Sequence, residues 1–173
     1  MKLIVYLLAI GILCSCKGKS PSPMTDQELS QAQKNLIVEN KRQHAEEMKT
    51  IKALISERGW PMIETPTGLH YMMVEPGTGK RAEKDEHVFI AYTISLLDGT
   101  VCYEATASDA KEIHIGHDNI EIGLHEAMQL MHEGEKARFI FPSHLAFGFT
   151  GDSRKIPQNA SLIYEIQLLR IQR

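Results

Sequence analysis

The chain has 173 residues, 43% of them hydrophobic, with a formal net charge of −3. That is enough for one compact core plus an extension. The 19 basic residues are dispersed among 22 acidic ones, without the basic footprint of a nucleic-acid binder, so no nucleic-acid partner is expected.

Met1-Lys2 opens onto the apolar run Leu3 to Leu13, followed by "CSCKGKSPSP". The run is too short to span a bilayer comfortably and has the length of a signal-peptide core. Ser15-Cys16 beside it resembles the end of the bacterial lipobox, where a small residue precedes a cysteine that is lipidated and becomes the new N-terminus. Cys14 stands where a small or aliphatic residue is more usual. The expectation is a lipoprotein signal over residues 1–15 and lipidation at Cys16; an ordinary secretory signal or a buried helix are the plainer alternatives. Cys102 is then left alone, and no intrachain disulfide is expected. The expected location is the cell envelope, lipid-anchored and facing the periplasm. Lys17, in place of the aspartate linked with inner-membrane retention, favours the outer membrane.

Residues 16–24 read as a Ser/Pro/Lys tether. Thr25 and Asp26 offer an N-cap to a helical arm over 25–58, which Gly59 ends. Its middle, "ENKRQHAEEMK", is polar nearly all round, while Met48, Ile51 and Ile55 form an apolar stripe near its end. Leu29 and Leu36 are a heptad apart but Gln43 breaks the series. A coiled-coil dimer through this helix is open, and an arm docking only its last turns is the plainer reading.

From Trp60 the period changes. "WPMIE" and "LHYMMVE" read as strands around the turn "TPTG". In "VFIAYTISLL", Val88, Ile90, Tyr92, Ile94 and Leu96 face one way, and Ala91, Thr93 and Ser95 the other. Asp98-Gly99 predicts a hairpin into "TVCYEA". "EIHIG" is a short strand, Ile122 to Met131 a helix with Leu124, Met128 and Met131 on one side, and "KARFIF" a strand that Pro142 ends. In the last strand Leu162, Tyr164, Ile166 and Leu168 share a face, with Glu165 and Gln167 on the other. The layout over 59–173 is α+β: an antiparallel sheet wrapped around one short helix, preceded by the long N-terminal helix.

The stretch from Thr67 to Leu169 resembles an FKBP-type peptidyl-prolyl cis-trans isomerase. The resemblance is carried in order by "TGLHYMMVEPGTGK", "VFIAYTISLLDGTVCYE", "IGHDNIEIGLHEAMQLMHEGEKARFIFPSHLAFG" and "IPQNASLIYEIQLL". Tyr103 and the lead-in "GWPM…TPTGL" look more like the membrane-anchored FKBP lipoproteins associated with bacterial gliding motility. The resemblance implies a proline-binding pocket between sheet and helix, closed by the loop before the last strand. It assigns catalytic positions to Tyr92, Phe147 and Tyr164, and substrate-binding positions to Cys102, Tyr103, Ile113, Ile120, Glu121, Leu124 and Ile156. Phe147 and Ile156 fall on the covering loop, and Tyr164 on the floor.

Four of these positions depart from the family pattern. Cys102 replaces a phenylalanine, Tyr103 an acidic hydrogen-bond acceptor, Phe147 a tyrosine of the lid, and Glu121 an aliphatic residue. A lost hydrogen bond is worth about 1 kcal/mol, or up to ~3 when a partner is charged, and ~1.4 kcal/mol is tenfold in rate. Weakened isomerase activity is expected, with a client-binding chaperone or assembly factor, or a bare scaffold, as competing functions. The expected partners are proline-containing exported or envelope proteins, with the membrane reached through the lipid anchor.

No cofactor and no metal are expected. "HIGH" (His114, His117) is weighed as a ligand pair and set aside, because a strand running into a loop is expected to point the two rings apart. His125 and His132 read as solvated, and Cys102 as a small buried hydrophobe. "GTGK" lacks the length and the Ser/Thr of a phosphate loop. Ser143-His144 has no evident acidic orienter and so does not suggest a hydrolase.

Overall fold

The structure is a computed structural model and describes residues 25–172. The expected signal peptide, lipidation site and tether all lie outside the described residues. The chain divides into two compact units, Met1–Asn40 and Lys41–Arg173. Helix α1, Asp26–Arg58, runs through the boundary and ends where Gly59 predicts.

The described part of the first unit is helix and little else. Leu29, Leu36, Ile37 and Val38 are exposed there. Gln31 donates to Asn35 at 2.9 Å, the i,i+4 pairing of a polar helix surface.

The second unit is built on one antiparallel sheet. Its strands are β1 (Ile63–Glu64), β2 (His70–Glu75), β3 (His87–Leu96), β4 (Val101–Ala105), β5 (Lys111–His114), β6 (Lys136–Phe141) and β7 (Leu162–Gln172). They run in the order β1-β2-β6-β7-β3-β4, with β5 also on β3. β4 and β5 share one edge of β3: Tyr92–Ser95 pair with β4, and His87–Ile90 with β5. The Asp98-Gly99 turn closes as expected, with Thr100 N–H donating to the Asp98 carboxylate at 2.8 Å. The "WPMIE" segment contributes only the two residues of β1.

Helix α2, Ile122–Leu130, packs on one face of this sheet through Leu124, Ala127 and Met128, and Met131 follows as its C-cap. The alternation of β7 delivers Leu162, Tyr164, Ile166 and Leu168 to that core, each 2% exposed or less. Gly123 lets the first turn of α2 come close. A Cβ there would stand 2.8 Å from the Leu145 carbonyl oxygen and 3.0 Å from Phe141 Cδ2. The fold is the α+β arrangement that the sequence implies.

A second, smaller cluster forms on the other face. Ile51 of α1 is fully buried with Ile140 and Ile163, flanked by Met48, Leu54, Ile55, Trp60, Met62 and Leu97. Alternation along β7 thus has a second use. Ile163, between two core residues, points out of the main core and receives the apolar stripe of α1.

Candidate functional site: a cleft before helix α2 and two bonded polar pairs

Cys102, Ile113, Leu124, Ile156 and Tyr164 belong to the main buried cluster, and Tyr92, Tyr103, Ile120 and Phe147 pack against it half-buried. The sequence-predicted residues other than Glu121 thus share the core of the second unit, and Glu121 is bonded to one of them, Tyr164. β3 supplies Tyr92, β4 supplies Cys102 and Tyr103, and β5 supplies Ile113. Ile120, Glu121 and Leu124 lie at the start of α2, Phe147 and Ile156 on the loop before β7, and Tyr164 on β7 itself. Beside them Ile120, Glu121, Ala146 and Phe147, with Lys111 and Asn119, line a cleft of about 350 Å³. Ile122 and Phe149, next along the chain from Glu121 and Phe147, are large apolar side chains left 69% and 73% exposed.

Tyr164 lies in the core and reaches one lining residue of the cleft, Glu121. It is 1% exposed, and its ring stacks on Phe141 with centroids 4.3 Å apart and planes at 15°. Its hydroxyl donates to Glu121 Oε1 at 2.8 Å. Burial, and then the nearby Glu121 charge, hold the Tyr164 phenol well above its ordinary value. The same two causes raise Tyr92. Both phenols therefore stay protonated, and so remain hydrogen-bond donors, at any physiological pH.

The second pair was not foreseen from sequence. The Tyr103 hydroxyl donates to Asp152 Oδ2. The other Asp152 oxygen accepts the N–H groups of Arg154 at 2.9 Å and Ile156 at 2.8 Å. Burial alone would raise this carboxyl. The bond from Tyr103 and those from the loop N–H groups outweigh it and bring the carboxyl down to about 2. Gly151 makes the turn feasible: its φ is +65°, and a Cβ would lie 2.3 Å from the Ile156 carbonyl oxygen. Asp152 is thus the staple that presents Ile156 to the core, with the Lys155 ammonium 5.1 Å above the Tyr103 ring.

Two of the departing positions carry polar groups that are bonded within the fold, Tyr103 to Asp152 and Glu121 to Tyr164. Tyr103 is an unmatched change only if position 152 is ignored, and Glu121 only if Tyr164 is. Each polar group has its partner, and no buried side-chain polar atom among the described residues lacks one. Asx-turn chemistry in "GDSRKI" was the available signal for Asp152.

Cys102 is 2% exposed, and burial raises its thiol above the ordinary value. It is a small buried hydrophobe, not a nucleophile.

Three further readings change. The His114 and His117 rings do not diverge. They stack at 4.1 Å, and His87 stacks on His114 at 4.2 Å from the other side. The reason is register, because His87 lies directly opposite His114 across β3 and β5. His125 is not simply solvated. Its Nδ1 accepts the Gly116 N–H at 2.9 Å, and its Nε2 lies 3.1 Å from the Asp118 carbonyl oxygen, bracing the loop ahead of α2. Ser143 does meet an acid: its Oγ donates to Glu47 at 3.1 Å. Bonded there and not to a histidine, it is not an activated nucleophile.

Comparison with known proteins follows the same lines. The "Probable FKBP-type peptidyl-prolyl cis-trans isomerase FkpA" of Neisseria meningitidis is 27% identical over 158 residues, covering 86% of this chain and 58% of that protein. The "Outer membrane protein MIP" of Legionella longbeachae is 30% identical over 151 residues, covering 84% of this chain and 64% of that protein. The chain thus spans about three-fifths of the length of these relatives. Among solved structures, a peptidyl-prolyl cis-trans isomerase from Pseudomonas syringae superposes with a TM-score of 0.63 at 25% identity, over 75% of this chain and 96% of that one. Residues 79–169, just over half the chain, match the FKBP-type peptidyl-prolyl cis-trans isomerase family, and the chain belongs to that family.

Proposed function

We propose that this protein is a peptidyl-prolyl cis-trans isomerase that assists the folding of proline-containing exported or envelope proteins. The observation that carries the reading is the convergence of Tyr92, Ile120, Leu124, Phe147, Ile156 and Tyr164 on one half-open apolar cluster. Among them the Tyr164 hydroxyl is bonded to Glu121, and beside them Tyr103 is bonded to Asp152. Rotation about a peptide bond is opposed by ~18–20 kcal/mol of amide resonance, and uncatalysed X-Pro exchange takes roughly 10–100 s. Twisting the amide removes that resonance and with it much of the carbonyl's polarity. An apolar, water-poor site therefore binds the twisted amide better than the planar one, which is differential binding of the transition state. Phe147 and Ile156 cover the prolyl ring, Tyr164 backs it, and a backbone N–H of the Ile120–Leu124 segment holds the substrate carbonyl. The chemistry calls for no nucleophile and no proton transfer.

The envelope assignment rests on the lipobox-like "LCSC" and Cys16. The likeness to the outer membrane protein MIP of Legionella longbeachae supports an outer-membrane location. Among the described residues no helix is long and apolar enough to cross a membrane. Tyr103 and the "GWPM…TPTGL" lead-in support kinship with the gliding-motility-associated lipoproteins. A second reading, a chaperone or assembly factor for an envelope complex, is favoured by one observation: Glu121, with Lys111 and Asn119, makes half of the cleft's lining polar.

Cis/trans exchange in short Xaa-Pro peptides, followed by NMR exchange spectroscopy, separates the two. Acceleration by the native protein, lost in a Phe147→Ala, Tyr164→Ala variant, is the expected result. Failure of the native protein to accelerate exchange with any residue before proline would refute catalysis. The cleft would then be assayed by client binding.

A further inference from the structure

We propose that His44, Glu47 and His144 form a binding site for a divalent transition metal of zinc's chemistry, using no residue of the cleft. One ligating atom from each lies within 4.8 Å of the others. Two imidazoles and a carboxylate are a donor set that zinc takes, and three protein ligands leave a fourth position to water. A tetrahedral ion bound at ~2.0–2.2 Å needs its ligands ~3.3–3.5 Å apart. Closing the site therefore asks for a movement of about 1 Å, within the rotamer freedom of His44, whose side chain is 54% exposed.

The surroundings orient the ligands. His144 Nε2 lies 3.0 Å from the Thr67 carbonyl oxygen. A carbonyl only accepts, so Nε2 carries the proton and Nδ1 presents its lone pair. Glu47 Oε1 is saturated by the Ser143 N–H at 2.6 Å and the Ser161 hydroxyl at 2.6 Å. Its Oε2 accepts only the Ser143 hydroxyl, at 3.1 Å. It stands 3.8 Å from His44 Nδ1, too far for a hydrogen bond, and keeps a lone pair free. A histidine anchored through its far nitrogen and a carboxylate anchored through its far oxygen are the outer-shell contacts that fix metal ligands. His44 and Glu47 share a face of α1 at i,i+3. The His44 and His144 rings meet edge-on, at 76° with centroids 5.3 Å apart. The stacked rings of His87, His114 and His117 instead direct their in-plane lone pairs side by side, so that larger histidine cluster is the poorer site. An ion here would link α1 to the turn Ser143–Leu145 and stabilise the folded unit in proportion to its occupancy.

The test uses the full-length protein in detergent, stripped with a chelator and titrated with Zn²⁺ by calorimetry. Co²⁺ serves as a spectroscopic probe through its visible absorption. The expected result is one ion per chain, a tetrahedral-type Co²⁺ spectrum, and a rise in Tm with Zn²⁺. The His44→Ala and His144→Ala variants should each weaken Zn²⁺ binding at least tenfold and lose the Co²⁺ bands. Both side chains are exposed, so the variants should keep the native Tm in the absence of metal; a His117→Ala variant should bind as the native protein does. Absence of saturable binding, or an ion that survives either the His44 or the His144 substitution, overturns the proposal.

Discussion

Removing the Tyr164 hydroxyl tests whether Glu121 is a defect in the cleft or one half of a bonded pair. Tyr164→Phe keeps the ring, its burial and its stack on Phe141 at 4.3 Å, and deletes only the donor that meets Glu121 at 2.8 Å. A bond to a charged acceptor is worth ~1.5–3 kcal/mol. Glu121 is half-buried, so water recovers part of that, and the expected loss is about 1–2 kcal/mol. For a chain of this size that is a fall in Tm of roughly 2–8 °C. Glu121→Ile alone strands the Tyr164 hydroxyl in an apolar wall and should also destabilise. The double variant strands nothing, and replacing both partners by apolar groups of similar shape is close to neutral. The cycle should therefore show a coupling of about 1–2 kcal/mol. Urea unfolding reads it through Trp60, the single tryptophan, which packs against the second cluster beneath Arg138 at 4.4 Å. In parallel, the double variant should keep or raise isomerase turnover, since it restores an aliphatic edge to the cleft. A coupling below about 0.5 kcal/mol, within ordinary additivity, would refute the paired reading.

Phe147→Ala opens the cover of the cleft without emptying the core. Peptide exchange should slow at least tenfold, equivalent to ~1.4 kcal/mol of transition-state stabilisation, while Tm changes little; unchanged turnover would remove Phe147 from the site. The Asp152 carboxyl, held at about 2 against an ordinary 3.8, contributes stability that is complete above pH 3.8 and lost as the pH falls through about 2. Tyr103→Phe deletes one donor to it and should move its NMR titration midpoint upward toward the ordinary value. A midpoint that does not move would show that the loop N–H groups alone set it. Ile51→Ala empties a fully buried position in the second cluster and should cost ~2–5 kcal/mol in urea with turnover in native conditions unaltered. A matching loss of activity would mean that the two faces of the sheet are coupled.

Much of this protein was legible in its letters because the relevant signals are local. A period of two put Leu162, Tyr164, Ile166 and Leu168 on one face. The Asp98-Gly99 turn closed the β3–β4 hairpin. The spacing of Leu124, Met128 and Met131 marked the buried side of α2. Turn chemistry and side-chain periodicity need only a few neighbouring residues, so a single sequence carries them. The order of the motifs in turn named Ile120, Glu121 and Phe147, which line one cleft, although nothing local says that they touch.

The partnerships were decided by tertiary structure. Tyr103 finds Asp152 49 residues away, Tyr164 finds Glu121 43 residues away, and Ser161 finds Glu47 across 114 residues. His87 reaches His114 only through the register of β3 on β5. Ile163 meets Ile51 only because α1 covers the second face of the sheet. Such pairs are set by strand order, register and the packing angle of a helix, all of which depend on the whole chain being folded. Residue type announces that a buried hydroxyl or carboxylate must have a partner; only the fold chooses which one.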